Sequence, residues 1–253
     1  KFGAKVYNQY ADLEAWDGTI LKARNIIGAY NPDSKKRIML CAHWDSRPYA
    51  DYDADEKNHK KPIDGANDGA SGVGVLLEIA RQIQKEAPTV GIDIIFFDAE
   101  DYGTPAWHRG TYKPHDWCLG SQYWGRTPHV QGYYARYGIL LDMVGGKGGT
   151  FYYEPYSYRT ARKEVKKIWE KAHELGYGSY FVKQEGSEVT DDHVYVNQLA
   201  RIPCVDIINY DPVYENSSFG PTWHTVNDNI SNIDRNTLKA VGQTVMDVIY
   251  NEK

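Results

Sequence analysis

A chain of 253 residues fits one α/β domain and is long enough to bury a sizeable core. With 42% hydrophobic and 25% charged residues it should be globular rather than disordered, and no apolar run reaches membrane-spanning length. A formal net charge of −5 argues against nucleic acid as a partner and offers no attraction to acidic lipid.

In chain order, residues 25–30 (Asn-Ile-Ile-Gly-Ala-Tyr) and 37–42 (Arg-Ile-Met-Leu-Cys-Ala) predict two strands around an Asn31-Pro-Asp-Ser turn. Gly72 to Glu86 predicts a helix with Val73, Leu76, Leu77, Ile79, Ala80 and Ile83 on its apolar face. Ile92 to Phe97 is apolar apart from Asp93, as a buried central strand is. Tyr102 to Tyr134, rich in Gly, Pro, His and Trp and without a clear period, predicts a long functional loop. Ile139 to Val144 and Val205 to Ile208 predict further buried strands. Arg159 to Leu175 and Leu238 to Tyr250 predict amphipathic helices, and Val194 to Arg201 a short one. The alternation predicts a single catalytic domain over 1–253 with an α/β fold: an open, twisted, mostly parallel mixed sheet with helices on both faces. Ligands bind such sheets beyond the carboxyl ends of the strands.

His43, Asp68, Asp101, Asp142 and His224 each fall at a predicted strand end or in a turn, inside short polar motifs. Imidazole and carboxylate ligands of this kind suit zinc, and would also accept cobalt or another transition ion. Asp98-Ala-Glu100-Asp101 crowds three acids at a strand end; such a crowd repels itself unless a cation sits among it, although a solvated loop explains the segment alone equally well. Glu100, beside a candidate ligand, is placed to carry a proton. Asp191-Asp192-His193 opens the short helix, where one of the two acids is expected to be a cap. Asn67-Asp68-Gly69-Ala70-Ser71-Gly72 lacks the Gly-Lys-Ser/Thr ending of a phosphate loop, so nucleotide binding is rejected. Three cysteines, Cys41, Cys118 and Cys204, form neither a fully paired set nor a Cys-x-x-Cys motif; Cys41 and Cys204 read as buried structural residues.

Taken together, His43-Trp-Asp45, Asn67-Asp68-Gly69, Glu100-Asp101, Leu141-Asp142, Asp191-Asp192-His193 and Trp223-His224-Thr225 resemble the zinc exopeptidase superfamily of aminopeptidases. Within it the chain is most similar to animal-type glutaminyl cyclases in a bacterial form. Thr190-Asp191-Asp192-His193, the Trp before His224 and Leu119-Gly120-Ser121-Gln122 carry that choice. The resemblance implies one zinc ion per chain on Asp68, Asp101 and His224, with Glu100 as proton carrier. It implies Asp142 and Asp191 as hydrogen-bonded acids behind Glu100, and Trp223 as a pocket wall. A second pocket Trp is expected at Trp107 by rough spacing, although the loop differs in length and leaves Trp117 or another residue open. It also implies peptide or protein substrates with N-terminal glutamine and an extracytoplasmic location, periplasmic or secreted. The first residues, Lys1-Phe-Gly-Ala-Lys, do not read as a signal peptide, but a trimmed form leaves the compartment open. Two departures stand out. Asp101 replaces the Glu of most members, and Val73 stands where mammalian members have the partner of a cysteine near Cys41, so that disulfide is not expected. Two rivals stay open: a dizinc aminopeptidase using His43 and Asp142 as further ligands, and a non-catalytic peptide-binding module on the same fold.

Overall fold

The structure, a computed structural model, describes residues 1–215 and 217–252. Among these, the strands are β1 (Lys5–Glu14), β2 (Ile20–Tyr30), β3 (Arg37–His43), β4 (Gly91–Phe97), β5 (Gly138–Asp142), β6 (Phe151–Tyr153), β7 (Phe181–Glu185) and β8 (Cys204–Ile208). The α-helices are α1 (Ala70–Lys85), α2 (Leu119–Arg126), α3 (Pro155–Thr160), α4 (Arg162–Glu174), α5 (Asp192–Tyr195) and α6 (Arg235–Tyr250). The main sheet runs β1-β2-β4-β3-β5-β8. Its four central and distal strands, β4, β3, β5 and β8, are parallel, whereas β1 and β2 join antiparallel at one edge. This is the mixed, mostly parallel α/β sheet expected.

Period-two alternation in β3 explains why both faces are covered. Ile38, Leu40 and Ala42 pack with residues of α1, α4 and α6, including Leu76, Trp169 and Val245. Met39 and Cys41 point to the other face and meet Trp124 of α2, Val196 and Cys204. Burying each large aliphatic side chain contributes roughly 1.5–3 kcal/mol. The chain leaves β3 through α1 to β4 on one side and later enters β5 on the other. β3 therefore marks the switch point, and the crevice lies beyond its carboxyl end.

Four expectations need correction. β1 was not foreseen, and β2 starts at Ile20 rather than at residue 25, because β1 is an edge strand whose residues alternate between exposed and half-buried without a strong apolar face. The segment from Tyr102 to Tyr134 is not all loop, since it contains α2. The helix expected over Arg159 to Leu175 is broken at Ala161, whose φ of −135° ends α3 and caps α4. Pro155, with the Glu154 side chain accepting from the N–H groups of Tyr156 and Ser157, starts α3 before the predicted helix begins. The short helix after Asp191 is α5 followed by a π turn over Val196–Ala200, closed by Arg201 in the left-handed region.

Candidate active site

The parallel strands deliver the polar residues to one end of the sheet. His43 and Asp142 are the last residues of β3 and β5, and Glu100 and Asp101 follow β4 by one turn. Asp191 caps α5, and Asp68 precedes α1. Ala99, Cys118, Met143 and His224 all have positive φ, between 48° and 57°. Non-glycine residues held in that region cost on the order of 1–3 kcal/mol each and cluster at functional sites.

Local hydrogen bonds show why these turns hold. Asp228 accepts from the backbone N–H of Asn67 (2.7 Å) and Asp68 (3.0 Å). The Asn67 side-chain oxygen accepts from Gly145, and the Ser71 hydroxyl from Val144, tying the Asp68 turn to the one after β5. Gly69 has φ +85°, and a side chain there would press on the His43 ring and the Asp45 carbonyl, 2.9 Å away. Asp45 accepts from the N–H groups of Glu100 (3.1 Å) and Asp101 (3.0 Å), so the His-Trp-Asp motif aims the Glu-Asp pair. Gly120 lets α2 lie against the Asp98 carbonyl. Cys118, just before α2, donates its N–H to the Glu100 carbonyl (2.9 Å) and its thiol to Glu100 Oε1 (3.1 Å).

Among the described residues four groups of three side chains could hold a cation, and two of them share Asp68. In one, His224 Nε2 lies 3.2 Å from Asp101 Oδ1 and 3.6 Å from Asp68 Oδ2. In the other, His43 Nε2 lies 3.0 Å from Asp68 Oδ1 and 3.2 Å from Asp142 Oδ1. They differ in satisfaction. His43 Nε2 hydrogen-bonds Asp142 and pairs with Asp68, whereas neither buried oxygen of Asp101 has an aligned hydrogen-bond partner, His224 Nε2 being close to Oδ1 but not aligned with it. Orphaned buried carboxylate oxygens are costly unless a cation or proton meets them. The donor set Asp68, Asp101 and His224 therefore fits zinc.

The protonation equilibria show the same strain. Burial, then the charge of Asp68, raises Asp101 to about 6. Burial lifts Glu100 well above the usual carboxylate range; His43 opposes this, while Asp101, Asp191 and Asp192 add to it. Burial, then Asp142, raises Asp191 to about 7. For His224 burial acts downward, but Asp101 and Asp51 outweigh it and bring the imidazole to about 9. Behind Asp191, His193 sits between Glu154 (3.0 Å) and Asp206 (3.5 Å), all fully buried.

Asp68, Glu100, Asp101, Asp142, Asp191, Trp223 and His224 line one cavity of about 540 Å³. Trp107 does not: its indole packs edge-on against Tyr49 (5.0 Å) and stacks with His59 (6.3 Å). Trp117 lines the cavity instead and stacks on His224 at 5.9 Å, with Trp223 on His224 at 3.8 Å. His115 and Asp116 line the cavity with Trp117, just before the αL turn at Cys118 that starts α2. Phe219, Tyr195 and Met143 complete the apolar wall. The contact of Cys118 with Glu100 had no sequence signal, because it depends on a left-handed turn at a non-glycine residue.

Peptidase family M28 matches residues 25–249 of the chain. The crystal structure of Bacteroides thetaiotaomicron glutaminyl cyclase bound to N-acetylhistamine is 64% identical, with a TM-score of 0.97, covering 100% of this chain and 85% of that one. A Zn-dependent exopeptidase from Parabacteroides distasonis is 59% identical with a TM-score of 0.97, covering 99% and 85%. The Bos taurus glutaminyl-peptide cyclotransferase is 28% identical over 251 residues, covering 85% of this chain. The chain spans 62% of the length of that curated relative.

Proposed function

The chain belongs to peptidase family M28, and we propose that it is a glutaminyl-peptide cyclotransferase that turns an N-terminal glutamine into pyroglutamate with loss of ammonia. The likeness to bacterial glutaminyl cyclases supports this. The observation that carries it is the pairing of one cation-seeking carboxylate, Asp101, with a largely buried carboxyl able to carry a proton, Glu100, in the wall of one aromatic-lined cavity.

On this reading Asp68, Asp101 and His224 hold one zinc ion. When bound, zinc supplies polarisation of the glutamine side-chain carbonyl and balances negative charge that develops there. The chain's own residues do the rest. Trp117, Trp223 and Phe219 enclose the glutamine side chain and exclude water. The substrate's α-amine attacks its own side-chain carbonyl carbon, so nucleophile and electrophile arrive tethered. Glu100 takes a proton from that amine as the new C–N bond forms. It returns the proton to the side-chain nitrogen as the old C–N bond breaks and ammonia leaves. Cys118, donating to Glu100 Oε1, orients the carboxyl, and Asp142 and Asp191 favour a form of the cluster that shares protons. The substrates are peptides or proteins beginning with glutamine, and the working location is extracytoplasmic. No helix among the described residues is long and apolar enough to cross a membrane.

A second reading, a two-zinc exopeptidase, is favoured by the His43, Asp68 and Asp142 group and by the Parabacteroides relative. One experiment separates them. Metal per chain is counted while ammonia release from a Gln-initiated peptide is compared with hydrolysis of a Leu-initiated one. One zinc with ammonia release supports the cyclase; two zinc ions with hydrolysis overturn it.

A further inference from the structure

Residues 44–69, which link β3 to α1, do more than deliver Asp68. Within ten residues of His43 this connection grips two of the three proposed ligands. Arg47, fully buried, donates from Nη1 to the Asp101 carbonyl (2.8 Å) and to the Gly103 carbonyl (2.9 Å). The same guanidinium holds Asp51 at both oxygens, Nε to Oδ1 at 3.1 Å and Nη2 to Oδ2 at 2.7 Å. Ala106 N–H also donates to Asp51 Oδ2 (2.9 Å). Asp51 Oδ1 then faces His224 Nδ1 at 3.4 Å, a ring nitrogen with no aligned hydrogen-bond partner. Next in sequence, Tyr52 N–H donates to the His224 carbonyl (3.1 Å) and Asp53 accepts from Val226 N–H (3.1 Å).

We propose that Asp51, braced by Arg47, is a positioning residue that fixes the His224 imidazole for the metal. This rests on the reading of Asp68, Asp101 and His224 as ligands. The geometry assigns each ring nitrogen a direction: Nε2 faces Asp68 and Asp101, and Nδ1 faces Asp51. A carboxylate accepting from Nδ1–H sets the tautomer that leaves Nε2 free to ligate and makes it a stronger donor. Arg47 is the suited brace. Its charge offsets that of a buried carboxylate, its planar fork holds both oxygens, and a guanidinium cannot itself bind the cation. It also lies 4.5 Å from the Trp117 ring, which stacks on His224, so the brace reaches the cavity wall as well. The left-handed backbone at His224 is held from outside by the Tyr52 N–H on its carbonyl.

The test is zinc affinity by chelator competition, measured on the full chain with its thermal midpoint in the metal-free state. Asp51→Asn keeps size and most of the contact with Arg47 and should weaken zinc binding about 10–100-fold. The metal-free thermal transition should stay cooperative. Wild-type affinity in Asp51→Asn overturns the proposal. His224→Ala run alongside separates the premises. If it too keeps wild-type affinity, the ligand assignment itself falls; if it alone loses zinc, only the role of Asp51 falls. Should Asp51→Asn not fold, nitrogen-edited NMR of the unaltered zinc-loaded protein decides. A proton on His224 Nδ1, shifted downfield and protected from exchange by Asp51, is expected; an Nδ1 proton that is neither shifted nor protected overturns the proposal, and a proton on Nε2 overturns the ligand assignment beneath it.

Discussion

At the amino end of the sheet, Arg37 opens β3 beside Asp93 of β4, and the two form a doubly hydrogen-bonded buried pair at 2.6 and 2.7 Å. Tyr133 adds a third bond to Asp93, and the Asn31 carbonyl takes a further N–H of Arg37. At the carboxyl end of the same strands, Asp68, Glu100, Asp101, Asp142 and Asp191 converge around His43 and His224, and several of their oxygens have no partner. One buried charge cluster is complete in itself. The other is complete only with something added. Burial is common to both clusters, and unmet hydrogen-bonding capacity marks only the second, where it extends behind the cavity to Asp192 and Asp206.

The largest expected effect is at the incomplete end. Glu100→Gln should keep fold and zinc content while turnover drops about 10²–10⁴-fold, the usual share of general acid–base catalysis. Steady-state kinetics with metal analysis checks it; near-normal turnover with full zinc removes Glu100 from its role. The complete end should behave the opposite way. Arg37→Met strands a buried Asp93 and should cost about 3–5 kcal/mol in urea unfolding, with the kinetic constants of folded protein unchanged. If that variant instead lost turnover without losing stability, the division between the two ends would fail.

Added zinc should stabilise by mass action, by about 2.7 kcal/mol at a hundred times its dissociation constant. In a chain of this size that is a rise of several degrees in thermal midpoint, and it should vanish in Asp101→Asn. A rise undiminished in Asp101→Asn would place the cation elsewhere.

Glu154 sharpens the comparison from between the two ends, because it is buried yet satisfied. Burial acts to raise it, but hydrogen bonds from His193 and the Ser157 and Tyr156 backbone outweigh that and hold it at about 2. A carboxyl lowered on folding contributes stability above its ordinary pKa of about 4.3 and loses it as pH falls toward the folded value. Wild type should therefore lose on the order of 2 kcal/mol more than Glu154→Gln between about pH 5 and pH 2. Parallel pH dependences in the two proteins would refute this.

The smallest effect belongs to the cavity wall. Trp117→Ala should raise KM roughly 2–10-fold, the scale of one aromatic contact, while Trp107→Ala leaves it unchanged. The reverse result would restore Trp107 to the pocket.

What the sequence disclosed follows the same physics. Strands buried on both faces, such as Ile92 to Phe97, are unbroken apolar runs and read clearly, and strand-end acids such as Asp142 stand out against them. The edge strand β1 has no such run, so it was invisible, and the break at Ala161 reflects where Glu154 and Pro155 start a helix rather than any loss of period. Seven of the candidate site residues could be named because they sit in five short motifs, and the cavity brings them together. Arg47 and Asp51 could not, since their importance appears only when His224, distant in sequence, folds against them. Trp107 and Trp117 occupy one irregular loop, where spacing carries no orientation.

The parallel order of the sheet also has a bearing on time. Residues 39–41 pair with 138–140, and 138–142 with 204–208, so the pairings that bring the strand ends together span long stretches of chain. Such non-local closures are slow to form. Asp68 lies just before α1 and Asp101 just after β4, but His224 lies beyond β8, the last strand of the sheet, and we expect it to dock after β8 has paired with β5. A half-folded chain therefore offers at most two of the three donors. Zinc uptake during refolding should lag behind helix formation and coincide with the final kinetic phase, making the metal a clock for completion rather than a nucleus for folding.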